Sequence, residues 1–178
     1  TKTIGSVINQ FSLDEYEGNL RVALYDSDGS RVVIFDKNLK EIGRSDNLAK
    51  GEKMYSSRFI GNKVYLVTYK TVDPLYVIDL SVPSNIKVLG ALKIPGYSTY
   101  LHPYDENHII GIGMETKENI RRDVNGKVIS TTSSIIGMKM ALFDVSDVNN
   151  PIQISSTVIG DSRSSSAILT NHKALWFS

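Results

Sequence analysis

The sequence predicts an all-β fold: a partial β-propeller of about three blades plus the start of a fourth, each blade an antiparallel meander. Three observations carry this reading. Apolar runs of strand length recur between turn residues, as in Val64–Tyr69 (VYLVTY), Leu75–Leu80 (LYVIDL) and Ile86–Gly90 (IKVLG). The pattern repeats: Gly18 maps onto Gly61 and Asp36 onto Asp79, both at a separation of 43 residues. The central runs are also apolar on both faces, and no 3.6-residue period persists, as expected for sheets packed on both sides.

The single domain spans residues 1–178 and divides into units near 6–53, 54–97, 98–160 and 161–178. Ser6–Leu13 reads as a strand entering the first unit. Leu20–Tyr25 and Arg31–Phe35 follow as a hairpin about Asp26–Ser30, where Asp28-Gly29 supplies the turn. Asp26, Asp28 and Ser30 alternate as calcium ligands would, but the loop lacks the glycine position and distal Glu of an EF-hand, so a plain turn is expected. Lys40–Arg44 is the next strand and Asp46–Lys53 a polar link. Met54–Ile60 opens the second unit, Lys70–Pro74 joins its central strands, and Leu80–Asn85 turns the chain into Val88–Ile94. Asn107–Ile112 and Ala141–Ser146 repeat the central strands in the third unit. Asn171–Trp176 begins a fourth copy, with Trp176 expected in packing.

Asp36, Asp79 and Asp144 each end the second central strand of a unit. Their recurrence points to an Asx-type role, accepting N–H groups of the following turn. Between the central strands of the third unit lies an insertion, residues 115–136. Asn125-Gly126 predicts a two-residue turn there, pairing Val124 with Lys127 and Arg121 with Ser130. The same register places Ile110–Met114 opposite Gly137–Ala141. The result is one long hairpin, an interaction arm carrying Arg121, Arg122, Asn125 and Lys127.

The runs Tyr55–Gly61, Val72–Leu80 and Ile94–His108, with Asn9–Tyr16 and the turn Asp144–Asp147, are similar to a bacterial and archaeal family of secreted proteins with a C-terminal β-propeller domain, itself distantly similar to WD-repeat propellers. The resemblance covers nearly the whole chain. It implies a propeller fold and an extracellular or cell-envelope location, and it carries over no catalytic residue.

Composition narrows the function classes. A net charge of +1 recruits neither nucleic acid nor anionic lipid, and no apolar run is long enough for a membrane helix. There is no cysteine, so thiolate metal sites, disulfides and cysteine nucleophiles are excluded. The chain opens at Thr1 without a leader-like run and reads as part of a longer polypeptide. Nucleophile-elbow, phosphate-loop and zinc-helix motifs are missing, so no metal, cofactor or catalytic residue is expected.

The densest polar-aromatic stretch offers Tyr97, Tyr100, His102, Tyr104 and Asp105 as ligand-binding residues on a central funnel or rim. The alternative is that Tyr100 and Leu101 fill the blade, His102-Pro103 turns, and Asp105 bonds turn amides. Three functions follow. The first is a non-catalytic binding or scaffolding domain with a protein or surface ligand. The second is a hydrolase using His102 and Asp105, and the third an assembly module acting through the 115–136 hairpin. Open blade edges predict self-association.

Overall fold

A computed structural model describes residues 5–69 and 73–176. The expected link Lys70–Pro74 falls largely outside these residues. Twelve strands form three antiparallel four-stranded sheets, each a meander in chain order. The first holds β1 (Leu13–Tyr16), β2 (Asn19–Asp26), β3 (Gly29–Phe35) and β4 (Glu41–Arg44). The second holds β5 (Lys53–Ile60), β6 (Lys63–Tyr69), β7 (Asp73–Asp79) and β8 (Lys87–Ile94). The third holds β9 (Tyr97–Pro103), β10 (His108–Arg122), β11 (Val128–Asp144) and β12 (Ile152–Ile159). No α-helix occurs among the described residues.

The sheets stack through their central strands. Ala23, Val32 and Ile34 of the first sheet meet Met54, Val64, Leu66 and Ile78 of the second. Tyr65, Val67, Leu75 and Val77, on the second sheet's other face, meet Leu101, Ile109, Ala141 and Phe143 of the third. Both faces of the second sheet are thus buried, which is why VYLVTY and LYVID do not alternate. Each such aliphatic side chain contributes about 1.5–3 kcal/mol by leaving water. The sheets also meet along β5: the hydroxyl of Ser12, in the turn before β1, is 3.0 Å from that of Ser57, and the Ser56 hydroxyl donates to the Ser98 carbonyl of β9 at 2.7 Å. The outlying strands β1, β4, β8 and β12 are the more exposed ones, β12 above all.

The turns are held by the recurring aspartates. Asp36 Oδ1 accepts the N–H groups of Asn38 and Lys40, Asp79 Oδ1 that of Ser81, and Asp144 Oδ1 that of Ser146. The Ser146 hydroxyl and N–H hold Asp144 below the usual carboxylate range. Asp26 accepts from the Asp28 N–H at 2.8 Å and pairs with Arg31, so it serves the turn and its own sheet.

Several expectations are corrected. Residues 6–13 are not a strand. Ser6 makes one bridge to Tyr25, a 3-10 turn follows at Gln10–Ser12 capped by Asn9, and pairing starts at Leu13. His102-Pro103 is not a turn but the end of β9, paired with Ile109 and Ile110. Leu20, Val64 and Ile109 stand opposite Phe35, Ile78 and Phe143, so the second strands of the first two sheets are related by one residue more than the Gly18–Gly61 match implies. Residues 161–176 hold two 3-10 turns and no strand, and Trp176 is exposed. An edge segment gains ladder bonds only against a neighbour, and among the described residues it has none.

The long hairpin is present, with a different tip. Asp123 Oδ1 accepts from Asn125 and Lys127 at 2.9 Å each, and the Gly126 N–H donates to the Asp123 carbonyl. Val124 therefore sits in the loop and does not pair with Lys127: the Lys127 N–H goes to the Asp123 carboxylate instead of the Val124 carbonyl, and the Asp123 N–H donates to the Lys127 carbonyl. Arg121 opposes Ser130 as expected. A bulge at Glu115/Thr116 then moves the inner register by one, placing Ile110–Met114 opposite Met138–Leu142.

Gly43 and Gly90 hold equivalent places on β4 and β8, opposite Ile34 and Val77. A Cβ at Gly43 would overlap the Pro83 carbonyl of the next sheet, and one at Gly90 would overlap the Val148 carbonyl. Gly43→Ala and Gly90→Ala are each expected to cost about 1–3 kcal/mol by overpacking. Chemical denaturation of the two variants against the parent chain checks this; a cost within error of zero would mean that the sheets are free to separate there.

Candidate functional site

The five candidate residues of the third sheet do not converge. Strand alternation sends Tyr97 toward the second sheet and Tyr100 and His102 to the opposite face, while Tyr104 and Asp105 lie in the exposed β9–β10 turn. What forms instead is three separate clusters.

Tyr97 joins Tyr55 and Tyr69, with ring centroids 4.4 Å and 4.8 Å away. Lys53 Nζ stands 5.3 Å from the Tyr55 ring, and the Tyr69 hydroxyl bonds the Ser133 hydroxyl of the hairpin. The sequence reading missed Tyr55 and Tyr69. A signal existed, since Tyr25 and Tyr69 stand at equivalent places near the ends of β2 and β6.

His102 Nδ1 lies 3.2 Å from the Tyr100 hydroxyl. Around them gather Phe11, 5.6 Å from Tyr100, and His172, edge-on to Phe11 at 4.8 Å. The Arg58 guanidinium lies 4.5 Å over the Phe11 ring, and the Gln10 amide contacts His172 at 2.8 Å. Burial, and then the positive charge of Arg58, push the His102 pKa below its ordinary value. This cluster closes the entry of the first sheet against the C-terminal turns.

Asp105 accepts the Asn107 N–H at 2.7 Å and pairs with His108 at 2.8 Å. The Asn107 N–H chiefly, with His108, holds its carboxyl below the usual range. His102 and Asp105 thus belong to different pairs, and a shared acid-base site with a third polar group is not assembled. No group of three metal-ligating side chains occurs among the described residues.

The arm residues Arg121, Arg122, Asn125 and Lys127 are all exposed. Arg122 donates to the Gly126 carbonyl at 3.0 Å, and the Asn125 and Lys127 amides are held by Asp123. The register sets Lys117, Asn119 and Arg121 on one face of the arm beside Ser130, Thr132 and Ser134. Its root is fixed by polar bonds. Lys139, 5% exposed, reaches Glu115 at 3.0 Å and the Pro95 carbonyl at 2.7 Å, and the buried Thr116 hydroxyl accepts the Gly96 N–H. Exposed Ile120, Val128, Ile129 and Ile136 add apolar surface.

Sequence reasoning also missed Arg21. It is 3% exposed, bonded to Asp14 and to the Gly61 carbonyl at 2.7 Å, and flanked by the rings of Tyr16 and Phe59. It ties the first sheet to the second.

His102 is expected to titrate below a free histidine, and Arg58→Met to raise its midpoint only in part, because burial is the larger cause. The unfolded chain takes up this proton first as pH falls, so folding stability declines below the unfolded-state value near 6.5. NMR titration of the imidazole checks both points; a midpoint at or above the ordinary value would refute the half-buried, Arg58-facing placement.

The sequence matches the family model of the "Beta propeller domain" over residues 1–178. It is 45% identical over 160 residues to an uncharacterized protein of Methanocaldococcus jannaschii, covering 86% of this chain and 23% of that protein. It is 37% identical over 171 residues to an uncharacterized protein of Archaeoglobus fulgidus, covering 96% and 24% respectively. The chain therefore spans about a quarter of the length of the curated relatives it matches. With three four-stranded antiparallel meanders and a family match from end to end, the chain belongs to the β-propeller domain family.

Proposed function

We propose that this chain is a set of consecutive blades in a larger propeller, serving as a non-catalytic binding or scaffolding domain of a secreted or cell-surface protein. The β10–β11 arm is its contact element. The observation that carries the reading is how the arm is built. Its root is fixed by the Lys139–Glu115 pair, Thr116 and Tyr69, while its tip presents exposed Arg121, Arg122 and Lys127 with exposed isoleucines. A fixed root with a free, chemically mixed tip suits recognition of a protein or surface ligand by the arm's face or edge. The dispersal of His102 and Asp105 into separate pairs favours binding over hydrolysis. The propeller family, with its binding and scaffolding character, supports the same choice. The extracellular or envelope location rests on the resemblance to secreted propeller proteins.

Replacing Asn119–Thr132 by an Asn-Gly turn in the full-length protein removes the tip and keeps Ser133 on Tyr69. The expected outcome is an unchanged melting temperature with loss of at least about tenfold in retention on the cell-envelope fraction, the scale of losing one anchor residue. Undiminished retention would sink the arm's role. Turnover of ester, peptide or glycoside substrates that disappears in His102→Ala would replace the binding reading with an enzymatic one.

A further inference from the structure

The arginines of the first two sheets are paired, with one exception. Arg21 bonds Asp14, Arg31 bonds Asp26 and Arg44 bonds Glu41. Arg58, half-buried on β5, has no carboxylate, carbonyl or hydroxyl partner among the described residues. Its guanidinium is held in place all the same, 4.5 Å over the Phe11 ring. Stacking covers one face of this planar cation and leaves the N–H groups along its edge to donate elsewhere. A cation half withdrawn from water forfeits hydrogen bonds that an anion from outside can restore.

The surroundings suit such a guest. Ser56 and Arg58 share a face of β5, and the Ser56 hydroxyl reaches the Ser98 carbonyl, so Arg58 is turned toward β9. There the Tyr100 hydroxyl and His102 Nδ1 stand 3.2 Å apart. Burial first, and then the charge of Arg58, keep His102 neutral at pH 7. His172, edge-on to Phe11 and bonded by the Gln10 amide, completes the cluster. The cluster therefore carries one fixed positive charge on one planar fork, with polar side chains of β9 beside it. A carboxylate matches that fork, because its two oxygens accept two parallel N–H bonds and its single charge balances the guanidinium. A phosphate dianion would leave a negative charge unmatched.

We infer that Arg58, together with Tyr100 and His102, forms a binding site for the carboxylate group of a small organic acid. None of these residues belongs to the β10–β11 arm, so the site stands whether or not the arm binds a partner. It also gives a role to Tyr100 and His102 that needs no acid-base chemistry. The chain's overall charge of +1 supplies no long-range attraction, so Arg58 acts at contact distance.

NMR of the full-length protein with isotope-labelled histidine tests the site, with sodium acetate as the probe and sodium chloride at equal ionic strength as the reference. Bound acetate places a negative charge beside the imidazole and favours its protonated form. The His102 midpoint is expected to rise by about one pH unit at saturation, with half-saturation at roughly millimolar acetate. Arg58→Met is expected to abolish the response. Arg58→Lys keeps the charge and loses the fork, so it should leave the acetate-free midpoint low and weaken acetate binding about tenfold. Acetate acting no differently from chloride overturns the inference, since Arg58 is then already held by a carboxylate elsewhere in the polypeptide or takes none. An Arg58→Lys protein that responds like the parent overturns it too. Inorganic phosphate that moves the midpoint as far as acetate does overturns the assignment to a carboxylate.

Discussion

Every sheet in this protein has two apolar faces, and that constraint governs the rest. A sheet with one wet face needs a single partner, as in a sandwich. A sheet apolar on both sides requires a neighbour on each, and the neighbours require neighbours in turn. The second sheet satisfies the condition fully: Val64, Leu66 and Ile78 meet the first sheet, and Tyr65, Val67, Leu75 and Val77 meet the third. Polar contacts then fix how the faces meet. Arg21 holds the Gly61 carbonyl, serine hydroxyls of β5 reach the turn before β1 and the backbone of β9, and Gly43 and Gly90 admit the turns of the following sheet.

The same constraint explains why the conspicuous polar residues are not a catalytic site. A strand flanked by sheets on both sides sends alternate side chains to different interfaces. Tyr97 and His102 both lie on β9, yet one joins a tyrosine cluster and the other a cluster with Tyr100 and Arg58. Density of polar and aromatic residues along such a strand does not become density in space. The one feature free of this sorting is the β10–β11 arm, which leaves the stack and keeps its side chains in solvent.

Local turn chemistry was legible because it is local. Asp36, Asp79 and Asp144 accept N–H groups within four residues of themselves, so their recurrence was enough to read the role. The arm's tip shows the limit of that method. Asn125-Gly126 signals a tight turn, but Asp123 captures the Asn125 and Lys127 amides and lengthens the loop, and the bulge at Glu115 then moves the inner pairs by one. Bulges answer to what surrounds a strand. Here the bulge at Glu115/Thr116 lies beside the Glu115–Lys139 pair and the buried Thr116, contacts that strand periodicity does not encode.

By itself the sequence determined the central strands of each sheet, their meander order and their repetition, because hydrophobic pattern and turn residues act over a few neighbours. It also determined that no sheet could be solitary, since the central runs are apolar throughout. Tertiary structure alone decided which face each side chain of β9 took, the register inside the arm, the burial of Arg21 and the tyrosine cluster. It also decided the state of Asn171–Trp176, expected to open a fourth copy and found to hold a 3-10 turn at His172–Ala174. A strand is completed by its partner's hydrogen bonds, and those come from chain elsewhere in space.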